Sequence, residues 1–161
     1  YNNENELKRA KKEQLEKVLS GLPWIAAIDK FQHWIYTNPN HSRSERHEKW
    51  LELGERFGSI LDWSGFEEWR KVGWQKQLHL FSYPFYYIEY GIAQLGALQM
   101  WLQYRENPET ALDNYATAMR LGGSRPLPDL FAAGGMDFNL GRTTVQGLIE
   151  AVRDELTNLP A

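Results

Sequence analysis

Cysteine is absent from the 161 residues, which excludes disulfides and thiolate metal sites and suits a reducing cytoplasm. The compact signatures of common chemistries are missing too: no HExxH zinc motif, P-loop, GxSxG elbow or GxGxxG turn occurs. Four histidines, His33, His41, His47 and His79, are too scattered to form a zinc set by local spacing. His41 and His47 fall on different faces of any helix and sit in a charged segment, where solvated surface histidines are expected. No segment alternates with β-branched content over four residues, so no sheet is expected. Positive charge is not in excess. A net charge of −3 and a pI near 5.8 give no electrostatic case for nucleic acid or an anionic membrane. Repeats and low-complexity tracts are lacking. No signal or transit sequence opens the chain, and there is no initiating methionine, which suggests a processed product or a piece of a longer one.

Aromatic residues are abundant: seven Trp and eight Tyr, enough for a deep core or for a groove that binds peptide or other flat groups. The length fits one domain or part of a larger one. The chain is organised around residues 79–102, HLFSYPFYYIEYGIAQLGALQMWL. Proline suits the first position of a helix, and Glu106-Asn107-Pro108 forces a turn, so a helix is predicted over 84–105. Its apolar residues cover nearly every face, which predicts a central, buried helix. Glu89, Gln94 and Gln99 interrupt it too often for a membrane span.

Around it the periodicity predicts a surface helix over 4–19 closed by Gly21, and a second over 24–36 opened by Leu22-Pro23. Ser42 with Glu45, and Ser64 with Glu67, fit capping boxes, predicting helices from about 43 to 57 and a short one ending near 70. Asn107-Pro108 caps a helix over 109–121 that Gly122-Gly123 ends. A short helix beginning at Pro128 and a last one over 140–157 complete an all-α bundle.

Gly91 and Gly96, with Ala93 and Ala97, are expected to permit close helix packing. Glu89, in so apolar a helix, is expected to be buried and paired with a cation. Tyr83, Tyr86, Tyr87 and Tyr90 are spaced to meet on a helix surface, as Tyr83/Tyr87, Tyr86/Tyr90 and Tyr87/Tyr90. A phenol needs a partner when buried, and with a histidine upstream it can donate to a developing oxyanion. On the residues alone, packing and catalysis both stay open.

The stretch HLFSYPFYYIEYGIAQLGALQMW, with WIAAIDKFQHWIYTNP before it and the Trp74-Gln75 pair, resembles the C-terminal part of oligoendopeptidase F-like enzymes. These are zinc metallopeptidases of the thimet oligopeptidase family. The likeness extends over almost the whole chain, from Arg9-Ala10 and Leu15-Glu16 to the GGSRPLPDLF loop. It implies a larger, mostly helical peptidase fold around a channel for short peptides. One zinc would be held there by the histidines of HExxH and a downstream glutamate, activating water with the motif glutamate as base. The resemblance further implies His79, Tyr87 and Tyr90 as catalytic groups, and Tyr86 and Tyr83 as substrate-binding ones, with Tyr86 the reserve oxyanion donor. Residues 1–161 are then the C-terminal helical portion of the catalytic domain, or a homologue that lost its metal half. Zinc is expected in the whole enzyme, its motif N-terminal to residue 1, and none on this chain alone. Expected partners are short peptides and either the missing N-terminal half or a second copy; nucleic acid and membrane are not expected, and the location is cytoplasmic. The alternative is a non-catalytic helical module whose tyrosines line a peptide groove.

Overall fold

In a computed structural model that describes residues 3–58 and 61–159, the first helix does not stop at Pro23. α1 runs unbroken over Glu4–Thr37, where the sequence predicts two helices. A proline inside a helix removes one amide donor and crowds the preceding turn, at a cost of about 3 kcal/mol. The turns on either side bury Leu15 and Val18 before it and Ala27, Ile28 and Phe31 after it. At about 1.5–3 kcal/mol for each large side chain, that burial outweighs the break.

α2 (Arg43–Phe57) carries the expected capping box. Glu45 N–H donates to Ser42 Oγ at 3.2 Å, and Ser42 N–H donates back to Glu45 Oε2 at 2.7 Å. α3 (Glu67–Val72) starts later than expected and has no side-chain cap. Ser64 is already engaged by Asp62 Oδ1, through its amide at 2.9 Å and its hydroxyl at 2.6 Å, and Glu67 Oε1 accepts from Gly65 N–H. A 3₁₀ turn at Gly73–Lys76 and the one-turn α4 (His79–Ser82) follow. α5 (Ile88–Glu106), α6 (Pro108–Leu121), α7 (Leu127–Ala133) and α8 (Arg142–Asn158) complete the chain. Asn107 caps α6 as predicted, accepting from Thr110 N–H. The described residues contain no strand, and the all-α reading holds.

Two compact units divide the chain, residues 16–91 and residues 1–15 with 92–161. The first packs Ile28, Phe31, Trp50, Leu53 and Trp74 together, with Trp24, Leu80 and Tyr87 against them. Phe31 meets Trp50 edge-on at 5.1 Å, and Trp50 Nε1 donates to Arg70 O at 3.1 Å, which ties α3 to α2. The second unit buries Leu95, Leu98, Ala111, Leu148 and Val152. In it Gln99 grips the backbone of one residue in the loop after α7, donating to Asp137 O at 3.0 Å and accepting from Asp137 N–H at 2.8 Å.

α5 is buried on one side only. Gly91, Leu95, Gly96 and Leu98 are buried, while Glu89, Tyr90, Ala93, Ala97 and Tyr104 are exposed. The glycines do permit close approach, Gly96 lying under the Phe131 ring and Gly91 against Ile25; the alanines do not share in it. Glu89 is solvated, not buried in a pair, because it stands on the outer face of the helix.

Candidate functional site

The helix predicted from Pro84 begins at Ile88, because a turn intervenes. Tyr86 N–H donates to Tyr83 O at 3.2 Å, closing four residues with Pro84 second and Phe85 third. Phe85 has φ of 61°, in the left-handed region. That is the pattern of a type II turn, which favours proline at its second position and needs positive φ at its third, normally glycine. A side chain there costs about 1–2 kcal/mol. The turn folds the chain back so that residues 83–90 surround His79.

All five residues singled out in the sequence meet there. The Tyr86 ring lies nearly parallel to His79 at 6.3 Å; Tyr87 and Tyr90 stand edge-on to it at 5.0 and 5.7 Å, and Tyr83 is tilted at 6.2 Å. Among the tyrosines, Tyr86 meets Tyr90 and Tyr87 meets Tyr90 as their helical spacing predicts. Tyr83 packs on Tyr86 at 6.4 Å, because the turn replaces the first turn of helix. Tyr83, Tyr86 and Tyr90 are exposed and Tyr87 is half-buried.

The polar contacts are directional. Gln77 Nε2 stands 3.0 Å from His79 Nδ1, and His79 Nε2 stands 3.3 Å from Tyr90 Oη. With the Gln77 amide donating, Nδ1 is the acceptor and the ring proton sits on Nε2, directed at the Tyr90 oxygen. Tyr87 Oη in turn accepts from Trp24 Nε1–H at 3.1 Å. Each phenol oxygen therefore receives one N–H and keeps its own O–H to give. Trp24, Gln77 and Phe85 were not singled out by sequence reasoning. Phe85 carries the one local signal, its place after proline in a Tyr-Pro-Phe-Tyr turn; Trp24 is 63 residues from Tyr87 and carries none.

The other histidines lie apart from this cluster's hydrogen bonds. His33 Nδ1 is 2.9 Å from Asp29 O, and its ring meets Phe85 edge-on at 5.0 Å. His41 accepts from Arg46 Nε–H at 2.8 Å and is bonded through Nδ1 to Asn38 O. His47 is not the solvated histidine its charged segment suggests. Its Nε2 is buried without a hydrogen-bond partner, and burial, then the charges of Lys71, Arg43 and Arg46, hold its pKa below the ordinary value against the opposing Glu68. Among the described residues no three of His, Cys, Asp and Glu gather into a group able to hold a metal. The residues present do not fit the zinc that the resemblance implies for a whole enzyme.

No family model matches the chain. No curated protein matches it in sequence. Solved structures do. PZ peptidase A, determined with an inhibitor, is 33% identical over 91% of this chain with a TM-score of 0.82. A protein assigned as an oligoendopeptidase F is 29% identical over 92% of the chain with a TM-score of 0.78. Another so assigned, from Bacillus anthracis, is 26% identical over 91% with a TM-score of 0.69. The chain spans 26%, 26% and 23% of the length of these proteins, about a quarter of each.

Proposed function

We propose, for a chain that belongs with the oligoendopeptidase F-like peptidases over nearly its whole length, that it forms the oxyanion-stabilising and substrate-lining part of a zinc endopeptidase acting on short peptides. The observation that carries the reading is the meeting of His79 with Tyr83, Tyr86, Tyr87 and Tyr90 in one accessible cluster. Amide hydrolysis places negative charge on the carbonyl oxygen as the tetrahedral intermediate forms. Preset neutral donors lower that barrier, because they need no reorganisation when the charge appears. Tyr87 and Tyr90 have O–H groups to give; Tyr83 and Tyr86 offer exposed ring faces to a peptide.

In this reading residues 1–161 are the C-terminal helical portion of the catalytic domain. The zinc and its HExxH belong to another part of the polypeptide, which also covers apolar side chains exposed here, such as Trp69 and Met119. In the same reading the enzyme works in the cytoplasm. Among the described residues no helix is long and apolar enough to cross a membrane. The exposure of three of the four tyrosines favours a second reading, a peptide-binding module without catalysis. Kinetics separate the two. In a whole enzyme containing this segment, Tyr90→Phe keeps the ring and the fold, and turnover falls by about 10²–10³ with KM little changed. Normal turnover in both Tyr90→Phe and Tyr87→Phe would refute the oxyanion role and leave the binding module.

A further inference from the structure

We propose that Phe85 is a positioning residue whose ring, set against His33 and Tyr36 of α1, holds the turn that presents Tyr83 and Tyr86 to His79. Its consequence for peptide binding rests on the substrate-lining part of the proposed function; the positioning itself does not. The backbone at residue 85 asks for glycine, which adopts positive φ without a steric cost. A phenylalanine there carries that strain, and what it adds over glycine is its ring. Burial does not explain the ring, which remains 39% exposed. Its contacts do: His33 edge-on at 5.0 Å and Tyr36 tilted at 5.0 Å, two side chains one turn apart on the same face of α1. Tyr36 is itself 54% exposed, so this is a surface clasp outside the apolar core of the unit.

α1 thus holds both the turn and the residue that follows it. His33 and Tyr36 hold Phe85, and Trp24 holds Tyr87 through its indole N–H. Tyr86 lies between these anchored residues, and its ring is the one nearly parallel to His79, at an interplanar angle of 9° and a centroid distance of 6.3 Å. Tyr83 and Tyr86 are the first and last residues of the turn, so its conformation fixes the spacing of both rings from His79. Free the ring of Phe85 and the turn loses its tie to α1 while its backbone is relieved.

The test is nuclear magnetic resonance of the His79 ring in this chain, at conditions where each variant is folded. Phe85→Gly suits the backbone and deletes the ring. We expect a folded protein in which the His79 ring protons lose the shift that the Tyr83 and Tyr86 rings, held in place, contribute. Phe85→Tyr, which restores a ring, restores that shift. Tyr36→Ala leaves residue 85 untouched and is expected to lose the His79 shift as well, so it carries the test if Phe85→Gly fails to fold. A residue that matters for stability alone would move the melting temperature and leave His79 unchanged; unchanged His79 signals in the folded variants overturn the proposal. In a whole enzyme, Phe85→Gly misplaces the two rings that face the peptide and is expected to raise KM by about tenfold, with kcat little changed. Altered His79 signals with an unchanged KM would uphold the positioning role and refute the substrate-lining role of Tyr83 and Tyr86 instead.

Discussion

Tyr87 and Tyr90 look alike in the sequence, yet the structure predicts unequal effects on stability when each loses its hydroxyl. Tyr87 Oη accepts from Trp24 Nε1–H at 3.1 Å, and both side chains pack against the apolar core of their unit. Tyr87→Phe keeps the ring, so packing is conserved, but it strands the indole N–H. An unsatisfied buried donor costs about 1–3 kcal/mol. Trp24 is half-buried, so water recovers part of this and the expected loss is about 1–1.5 kcal/mol. At about 2–4 °C per kcal/mol for a chain of this size, the melting temperature should fall by about 2–6 °C. Tyr90 is 46% exposed and its contact with His79 is a longer 3.3 Å, so Tyr90→Phe should stay within about 0.5 kcal/mol. Urea denaturation of both, with unchanged slopes, measures the difference. Trp24→Phe alone and combined with Tyr87→Phe closes a cycle whose coupling should be about 1 kcal/mol. Equal stability of the two tyrosine variants, or a strictly additive double variant, would refute the hydrogen bond as an energetic contact.

Gly96→Ala puts a methyl 3.0 Å from the Phe131 ring and should cost about 1–3 kcal/mol by denaturation, whereas Gly147→Ala in α8 meets nothing within 4 Å and should gain up to about 1 kcal/mol of helix propensity. The unfolded chain binds protons at His47 more readily than the folded one, so stability should fall as the pH drops below about 6.5; melting across pH 5–8 should show this slope, and His47→Gln should flatten it. Glu89→Gln removes a solvated carboxylate from the first turn of α5 and should cost no more than about 1 kcal/mol, far below the loss expected of a broken buried pair.

Much of the fold was legible because its signals are local. Apolar periodicity gave the helices, and Ser42/Glu45 and Asn107-Pro108 capped them where their spacing said. The misreadings share one cause: a local rule met a competitor that the rule does not see. Ser64 and Glu67 have capping spacing, but Asp62 and Gly65 bind them first. Pro23 and Pro84 both look like helix starts. The first is overridden by buried turns on both sides, and the second opens a turn because Phe85 takes a left-handed conformation. Composition made α5 buried all round, but a helix with Ala93 and Ala97 on one face can leave that face open. Spacing alone also led to two of the three tyrosine contacts it predicted, Tyr86 with Tyr90 and Tyr87 with Tyr90, and missed where the turn sends Tyr83. It could not give their hydrogen-bond partners, since Trp24 reaches Tyr87 across 63 residues of chain.

Those partners bear on what the cluster can do. A phenol with a free oxygen can spend its O–H on a neighbouring acceptor or turn it to water, so its direction is undetermined. At Tyr87 and Tyr90 the oxygen is already met by an N–H, from Trp24 and from His79 respectively. An N–H occupying the oxygen steers the O–H away from itself, and accepting one hydrogen bond strengthens the phenol as a donor of the next. Tyr87 and Tyr90 stand edge-on at 5.2 Å, so two such donors come from adjacent rings. The supports differ in kind. Trp24 offers a permanent N–H, whereas His79 offers its Nε2 proton only while Gln77 occupies Nδ1. Gln77→Leu removes that choice of tautomer without touching either phenol. If the orientation of Tyr90 matters to turnover, Gln77→Leu should lower kcat in a whole enzyme more than it lowers stability. Turnover as high as in the unaltered enzyme would mean that Tyr90 donates without help from His79.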